Sequence, residues 1–463
     1  MNTLLWFQRD LRLNDNPALN WALQQGKPVI AIYIYSHEED AMWTEGGASR
    51  WWLHQSLKRL SEDLLKLNIR LQFLKANSVT AITQLVKDNQ VSSVVWTNRH
   101  EPHRIQYENR IENELQKNSI EVERIIDGLI RHPNRFLTAS NNTPYRVFTP
   151  FYKKLRREMN FNDYHISRNN NIKPMDHPAQ QIKNTLTLEQ LTLLDDHSWH
   201  EKLHNYWNPG EQSAGEKLDT FINDALINYQ TERDIPEIDG TSSLSPHLHF
   251  GEISVQQIIT QLAFLIEIQG GNIIQPAEVF LRQLVWREFA RYTLWHFPGT
   301  STQSMNSKFT DKFWHTDKVN FNKWKSGETG IPIIDAGMKQ LWETGIMHNR
   351  VRMLVASLLT KNIGISWQQG ASWFWDTLID ADLANNTMGW QWVAGCGVDA
   401  APYYRIFNPE TQAKKFDKHS RYINHWLDNT STMKPSDAIV DLATSRVSAL
   451  ERYNDVIRQA KAN

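Results

Sequence analysis

Residues 29–35 read Val-Ile-Ala-Ile-Tyr-Ile-Tyr, and six of the seven are β-branched or aromatic. Such a run reads as a β-strand. Working outward, Thr3–Phe7, Arg70–Leu74 and Val94–Thr97 are shorter runs of the same kind. Between them lie helical patterns at Arg50–Leu67, Val79–Asn89 and Arg104–Asn118. The first carries apolar residues at Trp52, Leu53, Leu57, Leu60, Leu64 and Leu67, the spacing of one buried helix face. Strand–helix alternation predicts a doubly wound α/β domain over residues 1–130, a parallel sheet with helices on both faces. No G-x-G-x-x-G follows the first strand, so the ordinary dinucleotide fingerprint is missing. The carboxyl ends of the strands remain open to some other ligand.

Residues 131–200 are polar and rich in turn signals, with Asn141, Asn142, Pro144, Asn169–Asn171 and Pro174. They read as an interdomain connector. From residue 201 to 463 the pattern is helical, with candidates at Glu278–His296, Pro332–Thr344 and Arg350–Lys361.

The whole chain has 463 residues, 50 Lys+Arg against 51 Asp+Glu, one Cys and 19 Trp. That length suits two or three domains. A net charge of −1 excludes a globally basic nucleic-acid binder but not a local basic face. A lone Cys396 excludes an intrachain disulfide framework, a Cys-ligated zinc site and a four-Cys iron–sulfur cluster. With no apolar leader and no long apolar run, the expected location is the cytoplasm. Trp outnumbers both Phe (18) and Tyr (13), and eleven of the 19 lie from Trp286 to Trp426. Either that region has an unusually bulky core or its indoles have a task.

Several constellations carry possible chemistry, each with a structural alternative. Thr241-Ser242-Ser243-Leu244-Ser245 precedes a helix and suits a phosphate, or simply caps the helix. His247, His249, His197, His200 and His204 lack metal-ligand spacing and read as hydrogen-bonded histidines. Asp380 and Asp382 with Asn386 are candidates for acid–base work, or for a helix cap and a salt bridge to Arg352. Arg350 and Arg352, two apart on a helix, point to different sides. One can pair inward while the other reaches a phosphate. From Arg405 to Arg421 five basic residues face Glu410 and Asp417, a local charge of +3 among aromatics. This fits either a DNA backbone contact or a solvated helix face.

In their joint order and spacing, WFQRDLRLNDNPAL (6–19), TSSLS (241–245), WREFARY (286–292), TGIMHNRVRM (344–353), LIDADLANNTMGWQWVAGCGVDAAPYYRIFNP (378–409) and KKFD (414–417) resemble the photolyase/cryptochrome family. The cyclobutane pyrimidine dimer photolyases are the most similar branch. The resemblance implies an all-α C-terminal FAD-binding domain after the α/β domain and connector. It implies that Tyr229, Thr241, Ser242, Leu244 and Ser245 hold the FAD phosphates and their surroundings, and that Arg287 and Asn349 flank the cofactor. Arg352 and Asp380 match an ion pair over the flavin, Asp382 sits near the ring, and Asn386 faces N5. A neutral amide there can accept from N5–H without adding charge.

The implied substrate is UV-damaged DNA with the dimer flipped into a pocket of Gln283, Trp286, Asn349, Met353 and Trp392. Arg233, Arg350, Arg405 and Lys415 match phosphate contacts. The implied chemistry is light-driven electron donation from reduced FAD to the dimer, ring splitting and return of the electron, with no net redox change. Trp390, Trp367 and Trp314 match an electron relay from the surface, with Trp342 as a side branch. Where (6–4) photolyases have two His, this chain has Asn349 and Met353, which favours the cyclobutane dimer. Gln283 stands where many class I enzymes have Glu, and with GWQWVAGCG it leans toward class III. Only 37 residues follow Trp426, and they show helical patterns where cryptochromes usually have long disordered tails. The alternative reading is a cryptochrome-type blue-light signalling flavoprotein. The implied antenna chromophore is methenyltetrahydrofolate, with Glu101 as its acidic contact, and the expected state is a monomer.

Overall fold

The computed structural model describes residues 1–463 apart from 38, 40, 160–172, 177–180, 195–197, 401–403, 428–436 and 463. His197, Asn169–Asn171 and residues 401–403 of the 378–409 motif therefore lie outside the described residues.

Five strands form one parallel sheet in the order β3-β2-β1-β4-β5: β1 Asn2–Phe7, β2 Val29–Tyr35, β3 Leu71–Lys75, β4 Val91–Thr97 and β5 Glu121–Ile125. β1 lies at the centre, where the winding reverses. Alternate residues of its strands serve two cores. Leu5, Phe7, Ala31 and Tyr33 pack with residues of the Pro17–Gln24 and Gly47–Leu65 helices. Leu4, Trp6, Ile30 and Ile32 pack with the Ser78–Asp88 and Pro102–Lys117 helices on the other face. Each buried Ile contributes roughly 1.5–3 kcal/mol. Sequence periodicity found four of the strands and missed β5. That strand is an edge of composition EVERI with no fully buried residue, and its charged residues, Arg124 among them paired with Glu108 and Glu112, mask the pattern. The Pro17–Gln24 helix was also unread; Asn16 caps it by accepting the Leu19 N–H (2.9 Å).

Within the span read as connector, Phe148–Glu158 forms a helix. Its Phe148, Phe151 and Leu155, at i, i+3 and i+7, are buried with Phe289 and Leu244 of the helical region. Four basic residues on its outer face dilute that signal. Beyond residue 200 the described elements are helical, and the long Ile274–His296 and Leu383–Ala394 helices cross at its centre. Glu278–His296 starts one turn earlier than periodicity predicts. Pro332–Thr344 matches, whereas Arg350–Lys361 is a regular helix at Asn349–Ser357 followed by a wider turn at Leu358–Ile363.

The sheet and the helical region share a core. Phe250, Leu203, Trp207 and Ile379 belong to the core under the sheet. Arg12, 1% exposed, donates to the Gly251 carbonyl (3.1 Å) and pairs with Asp127 (2.9 Å). Trp52 Nε1–H donates to Glu252 Oε1 (3.1 Å). No described helix is long and apolar enough to cross a membrane.

Candidate flavin and DNA site

Two helices converge on Asp380. Ser245, the first residue of the Ser245–Phe250 helix, donates its hydroxyl to Asp380 Oδ2 (2.7 Å). Arg352 Nη2, from the Asn349–Ser357 helix, stands 3.0 Å from the same oxygen. Arg352 Nε–H donates to the Met347 carbonyl (2.7 Å), which fixes the plane of the guanidinium. The salt bridge to Arg352 read from sequence is thus present, and Ser245 ties it to the Thr/Ser segment. That segment does not cap its helix: Leu244 occupies the cap position and no side chain bonds the first turn. Its hydroxyl cluster thus retains capacity for an acceptor such as a phosphate. Tyr229 is buried nearby in the same core as Leu244, under the Arg233 guanidinium (5.3 Å to the ring).

Asp382 caps the Leu383–Ala394 helix, with Oδ1 accepting the Asn385 N–H (2.9 Å). Its Oδ2 faces Arg291 (3.3 Å) and His249 Nδ1 (3.6 Å). Burial opposes the charge, but Arg291, His249 and Arg287 hold the carboxyl well below the usual range. His249 is pushed down to about 4, by burial first and by Arg9 second, and so stays neutral at pH 7. One turn on, Asn386 commits an amide N–H to the Ala371 carbonyl (3.0 Å). Its Oδ1 is the atom left to accept.

Arg287 and Glu101 come together elsewhere than on the Thr/Ser segment. Both line a pocket of about 40 Å³ between the carboxyl ends of the central strands and the helical region, with Arg12, Asp127 and Asp382. Arg287 donates to the Gly128 and Leu248 carbonyls (3.0 and 3.3 Å), and Arg291 also donates to Gly128 (2.9 Å). Burial, then Arg291, pulls the Arg287 pKa down to about 9. Glu101 is paired with Arg99 (2.7 Å), which overcomes burial and keeps it ionised. The pocket lies at the switch point of the sheet, the usual ligand crevice of an open α/β fold.

The expected lesion residues come from three helices. Gln283 and Trp286 lie one turn apart on the Ile274–His296 helix, and Asn349 and Met353 one turn apart on theirs. Trp286 is half-buried with its ring flat against Phe148, 3.5 Å between centroids at 6°. Trp392 donates its Nε1–H to the Asp399 carbonyl (3.1 Å). Among the expected phosphate contacts, Arg405 and Lys415 are exposed. Arg350 differs from expectation. It pairs with Asp234 (2.8 Å) and lies over Phe416 (4.4 Å), so both arginines of the Arg350/Arg352 pair have carboxylate partners. Arg233 lies 3.9 Å from the same Asp234.

Trp390 and Trp367 are buried in one core, and Trp314 is partly buried at its edge. No stacked or edge-on ring pair joins these three directly among the described residues. Trp390 lies on Gly370, where a Cβ would meet its ring at 2.1 Å. Trp367 Nε1–H donates to Ser304 Oγ (3.1 Å). Trp342 is 48% exposed and stacked between Trp199 (5.8 Å) and Trp373 (6.1 Å). Sequence reading named Trp342 but not its two neighbours, because stacking across elements leaves no trace in spacing.

Among the described residues of the histidine set, His247 is hydrogen-bonded and His204 and His249 are packed against aromatic rings. His247 Nδ1 meets Glu252 Oε2 at 2.5 Å, and His204 packs edge-on against Trp51. No metal-holding group of His, Cys, Asp and Glu occurs among the described residues.

Residues 3–176 match the family model described as DNA photolyase, and residues 280–460 match that described as the FAD binding domain of DNA photolyase. The chain is 39% identical to the deoxyribodipyrimidine photo-lyase of Agrobacterium fabrum, over 92% of this chain and 86% of that protein. It is 34% identical to cryptochrome-2 of Arabidopsis thaliana, over 92% and 70%. A crystal structure of a bacterial class III photolyase from Agrobacterium tumefaciens superposes with a TM-score of 0.89 at 35% identity, covering 99% of this chain and 98% of that one.

Proposed function

The chain belongs to the photolyase/cryptochrome family, and on that premise we propose that it is a deoxyribodipyrimidine photo-lyase of the class III kind, repairing cyclobutane pyrimidine dimers in light. The observation that carries this reading is the 39% identity to a photo-lyase across nine-tenths of the chain. Asn349 and Met353, neither of them a histidine, stand at the substrate-side positions and support the cyclobutane dimer over the (6–4) product.

FAD is the cofactor, and the site chemistry suits it: the Thr241 and Ser242 hydroxyls just ahead of a helix start that no side chain caps, a fixed Arg352–Asp380 pair braced by Ser245, and a neutral Asn386 acceptor. When bound and reduced, FAD supplies the light-driven electron that opens the cyclobutane ring and is returned afterwards. In this proposal Thr241, Ser242 and Ser245 bind its phosphates, with Tyr229 and Leu244 packed around them. Arg352 and Asp380 orient the ring, Asn386 Oδ1 accepts a hydrogen bond from a ring N–H, and Asp382 keeps a fixed negative charge nearby. Trp286 and Trp392 pack against a flipped-out dimer and exclude water, while Gln283 and Asn349 supply hydrogen bonds. Arg233, Arg350, Arg405 and Lys415 attract the DNA backbone. For Arg350 this requires exchanging Asp234 for a phosphate. Trp390, Trp367 and Trp314 pass an electron inward, and Trp342 with Trp373 forms a branch. The protein acts as a cytoplasmic monomer.

The decisive experiment mixes reduced protein with a thymine-dimer oligonucleotide under blue light. Thymine absorbance is expected to recover in light and not in the dark. Tight dimer binding without recovery would overturn the repair reading.

The antenna in this reading is methenyltetrahydrofolate, held with Glu101. Arginines outnumber carboxylates around Glu101, a charge that suits an anionic chromophore. Purified protein is then expected to show folate absorbance beside that of one flavin. Two flavins per chain would overturn the folate assignment.

A further inference from the structure

Trp286 and Trp392, 106 positions apart, are both fixed through one residue that neither spacing nor charge marks out. Asp399 follows the Leu383–Ala394 helix and sits in the left-handed region at φ 53°. Aspartate tolerates that conformation better than most residues. Its backbone carbonyl accepts the Trp392 Nε1–H (3.1 Å). Its Oδ1 accepts the N–H of Phe148 (3.3 Å), the first residue of the Phe148–Glu158 helix. That N–H is one of the orphan donors of a helix start, and Val147 offers no side-chain cap. A carboxylate also suits the positive end of the helix dipole. Phe148, 1% exposed, cannot slide, and its ring is the flat backing of Trp286.

We propose that Asp399 is a positioning residue that sets the two indole walls of the lesion pocket against each other, one through its carbonyl and the other through Phe148. The inference rests on Trp286 and Trp392 being those walls. It predicts that the carboxylate governs recognition of the dimer more than retention of flavin or of undamaged DNA.

Two substitutions separate the parts. Asp399→Gly keeps the left-handed backbone and the carbonyl but removes the carboxylate. Asp399→Asn keeps an oxygen acceptor for the Phe148 N–H. Affinity for a thymine-dimer oligonucleotide and for its undamaged counterpart, repair per absorbed photon at saturating DNA, and flavin absorbance are measured on each. Asp399→Gly is expected to lose about tenfold in dimer affinity, the worth of one hydrogen bond to a charged group, with undamaged-DNA affinity and flavin absorbance unchanged. Repair at saturation should fall less than affinity. Asp399→Asn should recover most of the loss. Wild-type dimer affinity in Asp399→Gly, an equal loss for both DNAs, or no recovery in Asp399→Asn would each overturn the proposal. Trp286→Ala serves as the reference. If it leaves dimer affinity intact, the lesion-pocket reading itself fails; if it weakens binding while Asp399→Gly does not, only the role of Asp399 fails.

Discussion

Trp367→Phe is expected to slow photoreduction of the oxidised protein at least tenfold while leaving repair by pre-reduced protein near wild type. Trp367 is fully buried in the same core as Trp390, and Trp314 is partly buried against that core. Phe retains much of the aromatic volume but is far harder to oxidise than an indole. A relay needs the middle site to hold the positive charge briefly, and an added barrier of only about 1.4 kcal/mol is already tenfold in rate. The substitution also leaves Ser304 without the Nε1–H donor. Losing that bond and some packing costs on the order of 1–2 kcal/mol, little enough for the fold to survive. Flash photoreduction with an external donor measures the first quantity, and dimer splitting by chemically reduced protein the second. Unchanged photoreduction would remove Trp367 from the relay. Loss of both activities would show that the indole is needed for packing instead.

What the sequence reveals depends on whether a signal is local. VIAIYIY is legible because both faces of β2 are buried, so every residue obeys one rule. EVERI, at the sheet edge, obeys it on no face and is missed. FTPFYKKLRRE hides a helix because four cations share its turns with the three buried residues. The same divide runs through the site. Arg352 and Asp380 could be paired from sequence because each has the charge the other lacks. Arg287 is named through the family resemblance alone, and its turn toward Gly128 depends on a loop 159 positions away. Phe148, Asp399 and Trp373 carry no motif of their own in isolation; their roles exist only where separate helices touch. Family resemblance supplies roles for residues that touch cofactor or DNA, and says little about the residues standing behind them.

Gly251→Ala is expected to cost roughly 2–5 kcal/mol and to loosen the junction between the sheet and the helical region. Gly251 ends the Ser245–Phe250 helix at φ 69°, a left-handed conformation in which a Cβ alone costs about 1–2 kcal/mol. The larger part comes from its neighbour. A Cβ there would lie 1.9 Å from the Arg9 carbonyl oxygen and 2.7 Å from the Asp10 Cα. These are backbone atoms just beyond β1 and cannot swing aside. Asp10 is itself fully buried, and the Leu11 N–H donates to the Phe250 carbonyl (3.2 Å). Relief therefore means moving one region off the other. That would break the Arg12–Gly251 bond and open the pocket that holds Arg287 and Asp382. Gly26→Ala is the control, because Gly26 has a similar φ of 63° and nothing within 4 Å of its Cβ position. It should pay only the conformational part. Denaturant melts of the two variants give the difference directly. If Gly251→Ala is no less stable than Gly26→Ala, the backbone contact is not holding the regions together. If it is less stable and also loses flavin, the junction supports the geometry of the helical site as well as the fold.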